Sequence, residues 1–104
     1  MRPWCVYLIE CRDGSVYTGI TNDLARRYAQ HVAGRGARYT RSHQPARLVG
    51  HLPHPDRASA SRAEHAIKQL PAIRKRTLFA AATEALAMER PSAVVGAAVS
   101  TDSD

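Results

Sequence analysis

The stretch CVYLIECRDGSVYTGI, residues 5–20, holds two short apolar runs on either side of an Arg-Asp-Gly segment. Runs rich in β-branched and aromatic residues around such a segment are typical of a β-hairpin. Each run carries one tyrosine, Tyr7 in the first and Tyr17 in the second. Which face of the sheet each phenol takes depends on the register across the turn, because a slip of one residue moves every side chain to the other face.

Two turns fit the residues between the runs. A two-residue Asp-Gly turn would pair Tyr7 with Ile20, whereas a three-residue loop ending in a left-handed Gly14 would pair Tyr7 with Gly19. The second register collects apolar side chains on one face and both tyrosines on the other, and Gly19 leaves room beside the Tyr7 ring. The register of the two-residue turn would place the tyrosines on opposite faces and mix apolar with polar side chains on both. We therefore predict the three-residue loop, with Tyr7 and Tyr17 on one face.

The rest of the chain alternates helix and loop patterns with one more strand. DLARRYAQHV has helical spacing after a suitable N-cap at Thr21 or Asn22. GRGARYTRSHQP predicts a loop, and ARLVGHL, which follows Pro45, predicts a third strand at a sheet edge. Two further helices are expected over about 57–70 and 71–90. The apolar stripes of the first two helices are Leu24, Tyr28 and Val32, and Ala60, Ala63, Ile67 and Leu70.

The basic charge is concentrated in the first three quarters of the chain. The 104 residues suit one domain and carry a net charge of +6 with a pI near 10.0. Residues 1–76 hold 14 Lys/Arg and 5 Asp/Glu, whereas residues 77–104 hold 1 and 4. This balance favours a polyanionic partner such as nucleic acid, although charges that only solvate the surface would give the same count. With no long apolar run, and with cysteines spaced as free thiols, we expect a cytoplasmic protein that does not enter membranes.

Three side chains outside the hairpin have the chemistry of a phosphodiesterase. Arg27 and His31 share a helix face at i and i+4, close behind the strand that carries Tyr17. Glu64 borders the apolar stripe of the next long helix, where a carboxylate can point into a cleft. Phosphodiester hydrolysis needs an oriented water, a cation facing the developing charge and usually a divalent metal.

In this set of motifs the sequence resembles the GIY-YIG nucleases, and most closely their small single-domain bacterial members. The motifs in chain order are Cys5-Val6-Tyr7, Tyr17-Thr18-Gly19, TNDLARRYAQH and SRAEHAIKQL. Cys5 stands where the family name has glycine, and Val6 and Thr18 replace isoleucines, but both tyrosines and Gly19 are kept. The resemblance covers residues 3–76. It implies an α/β (α+β) fold in which helices flank a three-stranded antiparallel sheet.

The resemblance also implies roles for individual residues in a metal-dependent endonuclease that cuts DNA. Tyr7 would position or deprotonate the attacking water, with Tyr17 and His31 in the same cluster. Arg27 would stabilise phosphate charge, and Glu64 would hold one Mg²⁺ or Mn²⁺. The residues expected to contact DNA are Arg35, Arg38, Tyr39, Arg41 and, more weakly, Lys68 and Arg47. We expect the nuclease domain over residues 1–88, a mobile C-terminal tail over residues 89–104, and no small-molecule cofactor.

Simpler explanations stay open for each of these residues. The tyrosines also suit a sheet core, Arg27 and His31 a solvated helix face, and Glu64 an i,i+4 pair with Lys68. Two other functions compete with the nuclease: a nucleic-acid-binding module that keeps the fold without efficient turnover, and a protein-interaction role for the Ala-rich last helix.

Overall fold

A computed structural model describes residues 3–89, with side chains described as far as residue 84. Three strands form one antiparallel sheet in the order β2-β1-β3, which places β1 at the centre. Helices lie on both faces of this sheet, so the expected α+β fold with a three-stranded antiparallel sheet is confirmed. The elements are β1 (Trp4–Cys11), β2 (Val16–Thr21), α1 (Leu24–Val32), α2 (Arg38–Ser42), β3 (Pro45–His54), α3 (Arg57–Lys68) and α4 (Ala72–Glu89).

The β1–β2 hairpin has the three-residue loop. Tyr7 pairs with Gly19 across the hairpin, as predicted. The Gly14 amide donates to the Cys11 carbonyl at 3.0 Å, and the Cys11 amide donates to the Ser15 carbonyl at 2.8 Å. Gly14 has φ +87°, a conformation that glycine adopts without steric cost. The turn therefore sets the register that brings Tyr7 and Tyr17 to one face.

The two faces of the sheet carry two separate cores. Val6 and Leu8, both fully buried, pack with Ala60 and Ile67 of α3 and with Phe79 of α4. On the opposite face, side chains of α1 and of the neighbouring strands cover the central strand. The residues of this second core are Tyr7, Ile9 and Cys11, with Tyr17, Leu24, Tyr28 and Leu48 around them. Cys5 and Cys11 are free and buried, as their spacing predicted.

Helix α1 differs from prediction in its N-cap residue and in which residue of its last turn is buried. Its N-cap is Asp23, whose carboxylate accepts from the Arg26 amide at 3.3 Å, and not Thr21 or Asn22. At the other end Val32 is 51% exposed, whereas His31 is 1% exposed. His31, and not Val32 of the predicted apolar stripe, faces the interior at this end. The His31 ring has hydrogen-bond partners there, so burying this polar side chain carries little cost.

The segment predicted as a loop after α1 contains a short helix. Residues 38–42 form α2, whose first hydrogen bond runs from the Arg41 amide to the Ala37 carbonyl at 3.2 Å. One turn of helix has little stability of its own, so its tertiary contacts hold it in place. The third strand lies at a sheet edge, as predicted, and is longer than predicted at both ends, while α3 and α4 lie close to their predicted positions.

The predicted C-terminal tail lies almost wholly outside the described residues. Glu89, its first residue, is the last residue of α4, and residues 90–104 are not described. Of the helices within residues 3–89, none combines the length and apolarity that crossing a bilayer requires.

Candidate active site

The two tyrosines meet beside Gly19 on the α1 side of the hairpin. Their ring centroids lie 6.3 Å apart, with Tyr7 1% exposed and Tyr17 half-buried. A β-carbon built at position 19 would lie 2.5 Å from the Tyr7 hydroxyl oxygen and 3.1 Å from the Tyr17 Cε2 atom. The glycine therefore makes the space in which the Tyr7 hydroxyl sits.

His31 joins this pair from the last turn of α1. Its Nε2 atom lies 2.8 Å from the Tyr7 hydroxyl oxygen, and its ring centroid lies 5.3 Å from that of Tyr17. Its Nδ1 atom lies 2.6 Å from the Thr40 hydroxyl oxygen. Thr40 is 2% exposed and donates to the Ala37 carbonyl at 3.0 Å. Both ring nitrogens of the buried histidine are thus satisfied.

Arg27 lies one helical turn before His31 and beside the Tyr7 hydroxyl. Burial raises the pKa of Tyr7, and the nearby Arg27 guanidinium opposes that rise. The same guanidinium donates to the Gln30 side-chain oxygen at 3.0 Å. Helix α1 thus places the Arg27 guanidinium beside the two phenols. Its hydrogen bond to the neutral Gln30 amide orients the guanidinium and leaves its positive charge unneutralised by that partner.

Burial keeps the phenol and the imidazole in their neutral forms. Removal from water, with smaller contributions from Tyr17 and Glu64, raises the pKa of Tyr7 to about 12 against the opposing effect of Arg27. Burial, followed by the charge of Arg27, lowers the pKa of His31 to about 4. At neutral pH the structure thus holds a protonated phenol against an uncharged imidazole.

Glu64 reaches the same cluster from α3, which packs on the opposite face of the sheet. Its carboxylate lies 3.3 Å from the Lys68 ammonium, in the i,i+4 pair that is the simpler explanation of this residue. Lys68 in turn lies 6.0 Å from the Tyr17 ring centroid. Lys68 is exposed and Glu64 half-buried. Helical i,i+4 pairs at the surface are worth only about 0.3–0.5 kcal/mol, so a stronger ligand can displace this one.

The carboxylate of Glu64 has no companion that would complete a protein-only metal site. Within the described part of the chain, no three His, Cys, Asp or Glu side chains are grouped to hold an ion. Mg²⁺ is often held by one or two carboxylates together with water and substrate phosphate oxygens. The single half-buried carboxylate fits that arrangement and does not fit a cation bound by the protein alone.

The predicted DNA-contacting arginines lie around α2. Arg35, Arg38 and Arg41 are exposed, and across residues 3–84 no carboxylate lies within ion-pair distance of them. Arg47, in contrast, donates to Glu10 at 2.6 Å. The charges of Arg35, Arg38 and Arg41 therefore stay available for an external anion, whereas the charge of Arg47 is already paired with Glu10.

Tyr39 connects the arginine segment to the tyrosine cluster. It stacks on Tyr17 with ring centroids 5.9 Å apart and on His43 at 4.1 Å. The His43 Nδ1 atom donates to the Asp13 carboxylate at 2.6 Å, which ties α2 to the hairpin loop. Tyr39 keeps 36% of its surface exposed, so it borders the cluster and is not part of a core.

Of the residues named from the sequence, the structure brings Tyr7, Tyr17, Arg27 and His31 into direct contact, with Glu64 and Lys68 beside them. Sequence reasoning missed the polar partners Gln30, Thr40 and His43. The only signal for Thr40 was its place in a Gly- and Arg-containing segment, because a partner for a buried ring nitrogen has no sequence periodicity.

Comparisons with known proteins identify the family to which the chain belongs. A family model described as the GIY-YIG catalytic domain matches residues 3–76. The UPF0213 protein of Xanthomonas axonopodis pv. citri is 57% identical over 75 residues, covering 72% of this chain and 74% of that protein. The UPF0213 protein of Cupriavidus pinatubonensis is 51% identical over 74 residues, covering 71% and 82%.

A solved structure is also similar in sequence. The solution NMR structure of a UPF0213 protein from Bacillus halodurans shares 43% identity, with 73% of this chain and 81% of that chain covered and a TM-score of 0.46. The family match over residues 3–76 and the UPF0213 relatives from Xanthomonas and Cupriavidus indicate a nuclease-like module. The chain belongs to the GIY-YIG catalytic domain family and, within it, to the small bacterial UPF0213 proteins.

Proposed function

We propose that the protein is a divalent-metal-dependent endonuclease that hydrolyses phosphodiester bonds in DNA. The observation that supports this most is the convergence of two phenols, an arginine, a neutral imidazole and a carboxylate from both faces of the sheet at one place. Within residues 3–84 the Arg27 guanidinium donates to the neutral Gln30 side chain, so its charge stays available beside the phenols, which a purely structural cluster does not need.

In the proposed reaction the attacking water gives a proton to the Tyr7 oxygen as the proton of Tyr7 passes to His31 Nε2, 2.8 Å away. The water oxygen bonds to phosphorus, the bond from phosphorus to the leaving oxygen breaks, and the leaving oxygen takes a proton from solvent. The relay avoids a free phenolate, which the raised pKa of Tyr7 disfavours. It charges an imidazole whose pKa burial lowers to about 4, so the negative charge of the bound phosphate must stabilise the imidazolium, which returns its proton to solvent as the product leaves.

Arg27 and Glu64 exchange weak partners for the substrate. The bond from Arg27 to Gln30 is released as the guanidinium turns to the phosphate, where it stabilises the developing negative charge. This movement also gives water access to the hydroxyl of Tyr7, which is 1% exposed. Glu64 would leave Lys68 and hold Mg²⁺ or Mn²⁺ with water and phosphate oxygens. The cation would supply positive charge at the phosphate oxygens.

The test is cleavage of duplex, flap, junction and single-stranded DNA with Mg²⁺ or Mn²⁺ and with a chelator. We expect cation-dependent cleavage that Glu64→Gln abolishes. The matched control is Glu10→Gln, which removes a carboxylate of similar exposure and with a similar cationic partner outside the cluster. Cleavage by Glu64→Gln within a few-fold of wild type, or cleavage that persists in the chelator, contradicts the proposal.

Arg27→Ala provides a second test of the same site. Removing one electrostatic stabiliser of a developing charge typically costs about 10²–10³ in rate. We expect a loss of that size that added Mg²⁺ does not restore, measured as single-turnover cleavage. Arg26→Ala removes an exposed arginine from the neighbouring helix position and should leave the rate within a few-fold of wild type.

The second candidate is a nucleic-acid-binding module on the same fold with little turnover. The burial of Tyr7 and the pairing of Glu64 with Lys68 favour it, because both residues are engaged before any substrate arrives. This candidate predicts salt-sensitive DNA binding with no cation-dependent cleavage on any member of the panel, and Glu64→Gln would then bind DNA as tightly as wild type or more tightly.

A further inference from the structure

The hydrogen bonds that run from Ala37 to Tyr7 define the position of each proton. Thr40 has one hydroxyl proton, and its oxygen lies 3.0 Å from the Ala37 carbonyl oxygen. Two oxygens that close need a proton between them and a carbonyl has none to give, so the Thr40 proton is assigned to this bond. The Thr40 oxygen can then only accept at its 2.6 Å contact with His31 Nδ1, so Nδ1 carries a proton. A neutral imidazole with a proton on Nδ1 has an unprotonated Nε2, which accepts from the Tyr7 hydroxyl at 2.8 Å.

The opposite arrangement would disable the same cluster. If His31 carried its proton on Nε2, that nitrogen would donate to Tyr7, and the Tyr7 hydroxyl proton would point away from the imidazole. Tyr7 would then have no acceptor for its proton in the cluster. The two tautomers place the same heavy atoms at the same distances, so the group on the other ring nitrogen decides between them.

The surroundings of Thr40 leave it little freedom to change partners. Thr40 is 2% exposed and His31 is 1% exposed, so water does not compete for either group. A β-carbon at position 36 would overlap the His31 ring at Nδ1, so Gly36 lets the chain close over the ring. The Ala37 carbonyl is in turn held by the Arg41 amide at 3.2 Å, within the first turn of α2.

We infer that Thr40 is a positioning residue that fixes His31 in the tautomer protonated on Nδ1, so that Tyr7 gives its proton to His31 and presents an acceptor to the attacking water. The catalytic part of this inference rests on the proposed nuclease function. The tautomer itself does not depend on any activity.

The first measurement is the ¹⁵N NMR spectrum of the histidine rings in the wild-type protein at pH 7, where a protonated ring nitrogen resonates well upfield of an unprotonated one. We expect His31 to show a protonated Nδ1 and an unprotonated Nε2. A His31 protonated on Nε2 in the wild type overturns the inference without any variant, so the test does not depend on whether a variant folds.

The second measurement compares Thr40→Val, which keeps the shape and loses the hydroxyl, with Thr40→Ser, which keeps the hydroxyl. We expect the valine variant to shift His31 toward the tautomer protonated on Nε2 and the serine variant to keep the wild-type spectrum. In steady-state cleavage, kcat of the valine variant should fall about 10²-fold with KM nearly unchanged, the scale of general acid–base catalysis. Rescue by serine separates positioning from simple packing.

The outcomes separate this inference from the proposed function. If the wild type cleaves no DNA but holds His31 protonated on Nδ1, the nuclease proposal is contradicted and the tautomer assignment stands. If the wild type shows cation-dependent cleavage and the valine variant matches it in both tautomer and rate, the nuclease proposal stands and the role of Thr40 is overturned. If the valine variant does not fold, the wild-type spectrum still decides the tautomer. Thr40→Ser then tests the hydroxyl: cleavage at the wild-type rate supports its role, and a loss of kcat in the folded serine variant overturns it.

Discussion

A β-carbon at position 19 would lie 2.5 Å from the hydroxyl oxygen of Tyr7, closer than van der Waals contact allows. The Tyr7 ring is buried on its remaining sides and has a hydrogen bond to His31, so it cannot move away without losing that bond. Gly14, in the same hairpin, has a different reason to be glycine: its φ is +87° and nothing lies within 4 Å of an added β-carbon. One glycine makes space for the site, and the other makes the turn.

We expect Gly19→Ala to damage the site and Gly14→Ala to damage only stability. Overpacking at position 19 should lower the free energy of unfolding by about 1–3 kcal/mol. Displacement of Tyr7 should reduce cleavage by about 10²-fold, the lower end of the contribution of general acid–base catalysis. Left-handed strain at position 14 should cost about 1–2 kcal/mol with the rate per folded molecule unchanged. Urea unfolding measures the change in stability, and single-turnover cleavage measures the rate. Equal cleavage rates for the two variants would contradict the role of Gly19 in making space for Tyr7.

At the scale of elements, α2 connects the interior of the site to its exposed rim. Thr40 points inward to His31, whereas Arg38 and Arg41, three positions apart and therefore on one side of the helix, point to solvent. Tyr39, on the same helix, stacks on Tyr17 of the cluster. An anion bound by these arginines would lie next to the phenols, and the same helix turn that fixes the imidazole would position the polyanion.

We expect replacement of Arg38 and Arg41 by Ala to weaken DNA binding on every sequence tested. Each lost phosphate contact should reduce the slope of log K against log salt concentration by up to about one unit. Fluorescence anisotropy over a series of salt concentrations measures this slope. Arg62→Ala with Arg74→Ala removes the same charge from exposed positions of α3 and α4. If this control pair flattens the slope as much as the α2 pair, binding follows net charge and not α2.

At the scale of the whole molecule, burial of histidines makes folding sensitive to mild acid. Burial lowers the pKa of His31 to about 4 and also lowers the pKa of His51, whereas an unfolded histidine titrates near 6.5. Between these values the unfolded chain binds more protons than the folded one. Stability therefore rises with pH through this window and is lost as pH falls from about 6.5 towards 4.

We expect His31 to cost the wild type up to about 1.4 kcal/mol per pH unit across that window. His51, whose pKa is also lowered, adds to the decline. His31→Gln should be less stable at pH 7, because two buried hydrogen bonds change, but should show a shallower decline between pH 6.5 and pH 4. The remaining decline belongs partly to His51. Urea unfolding at a series of pH values gives both slopes, and parallel slopes would show that His31 is not held neutral by folding.

Local sequence determined the hairpin, its register and the positions of the long helices, because these depend on neighbours along the chain. The Arg-Asp-Gly turn and the alternation of apolar residues were enough to predict that Tyr7 faces Gly19, and the register is confirmed. Helical spacing likewise placed α3 and α4, and Arg27 with His31 on one face of α1. Motif order was sufficient for the family as well.

Only the tertiary structure decided which polar side chains are buried and what they bind. Periodicity placed Val32 inward, yet His31 takes the interior because Tyr7 and Thr40, from two other elements, satisfy both of its ring nitrogens. α2 was missed for the same reason, since one turn of helix depends on partners distant in sequence. A buried polar group is stable only when its partners arrive in the correct geometry, and those partners are known only once the sheet has brought α1 and α2 together.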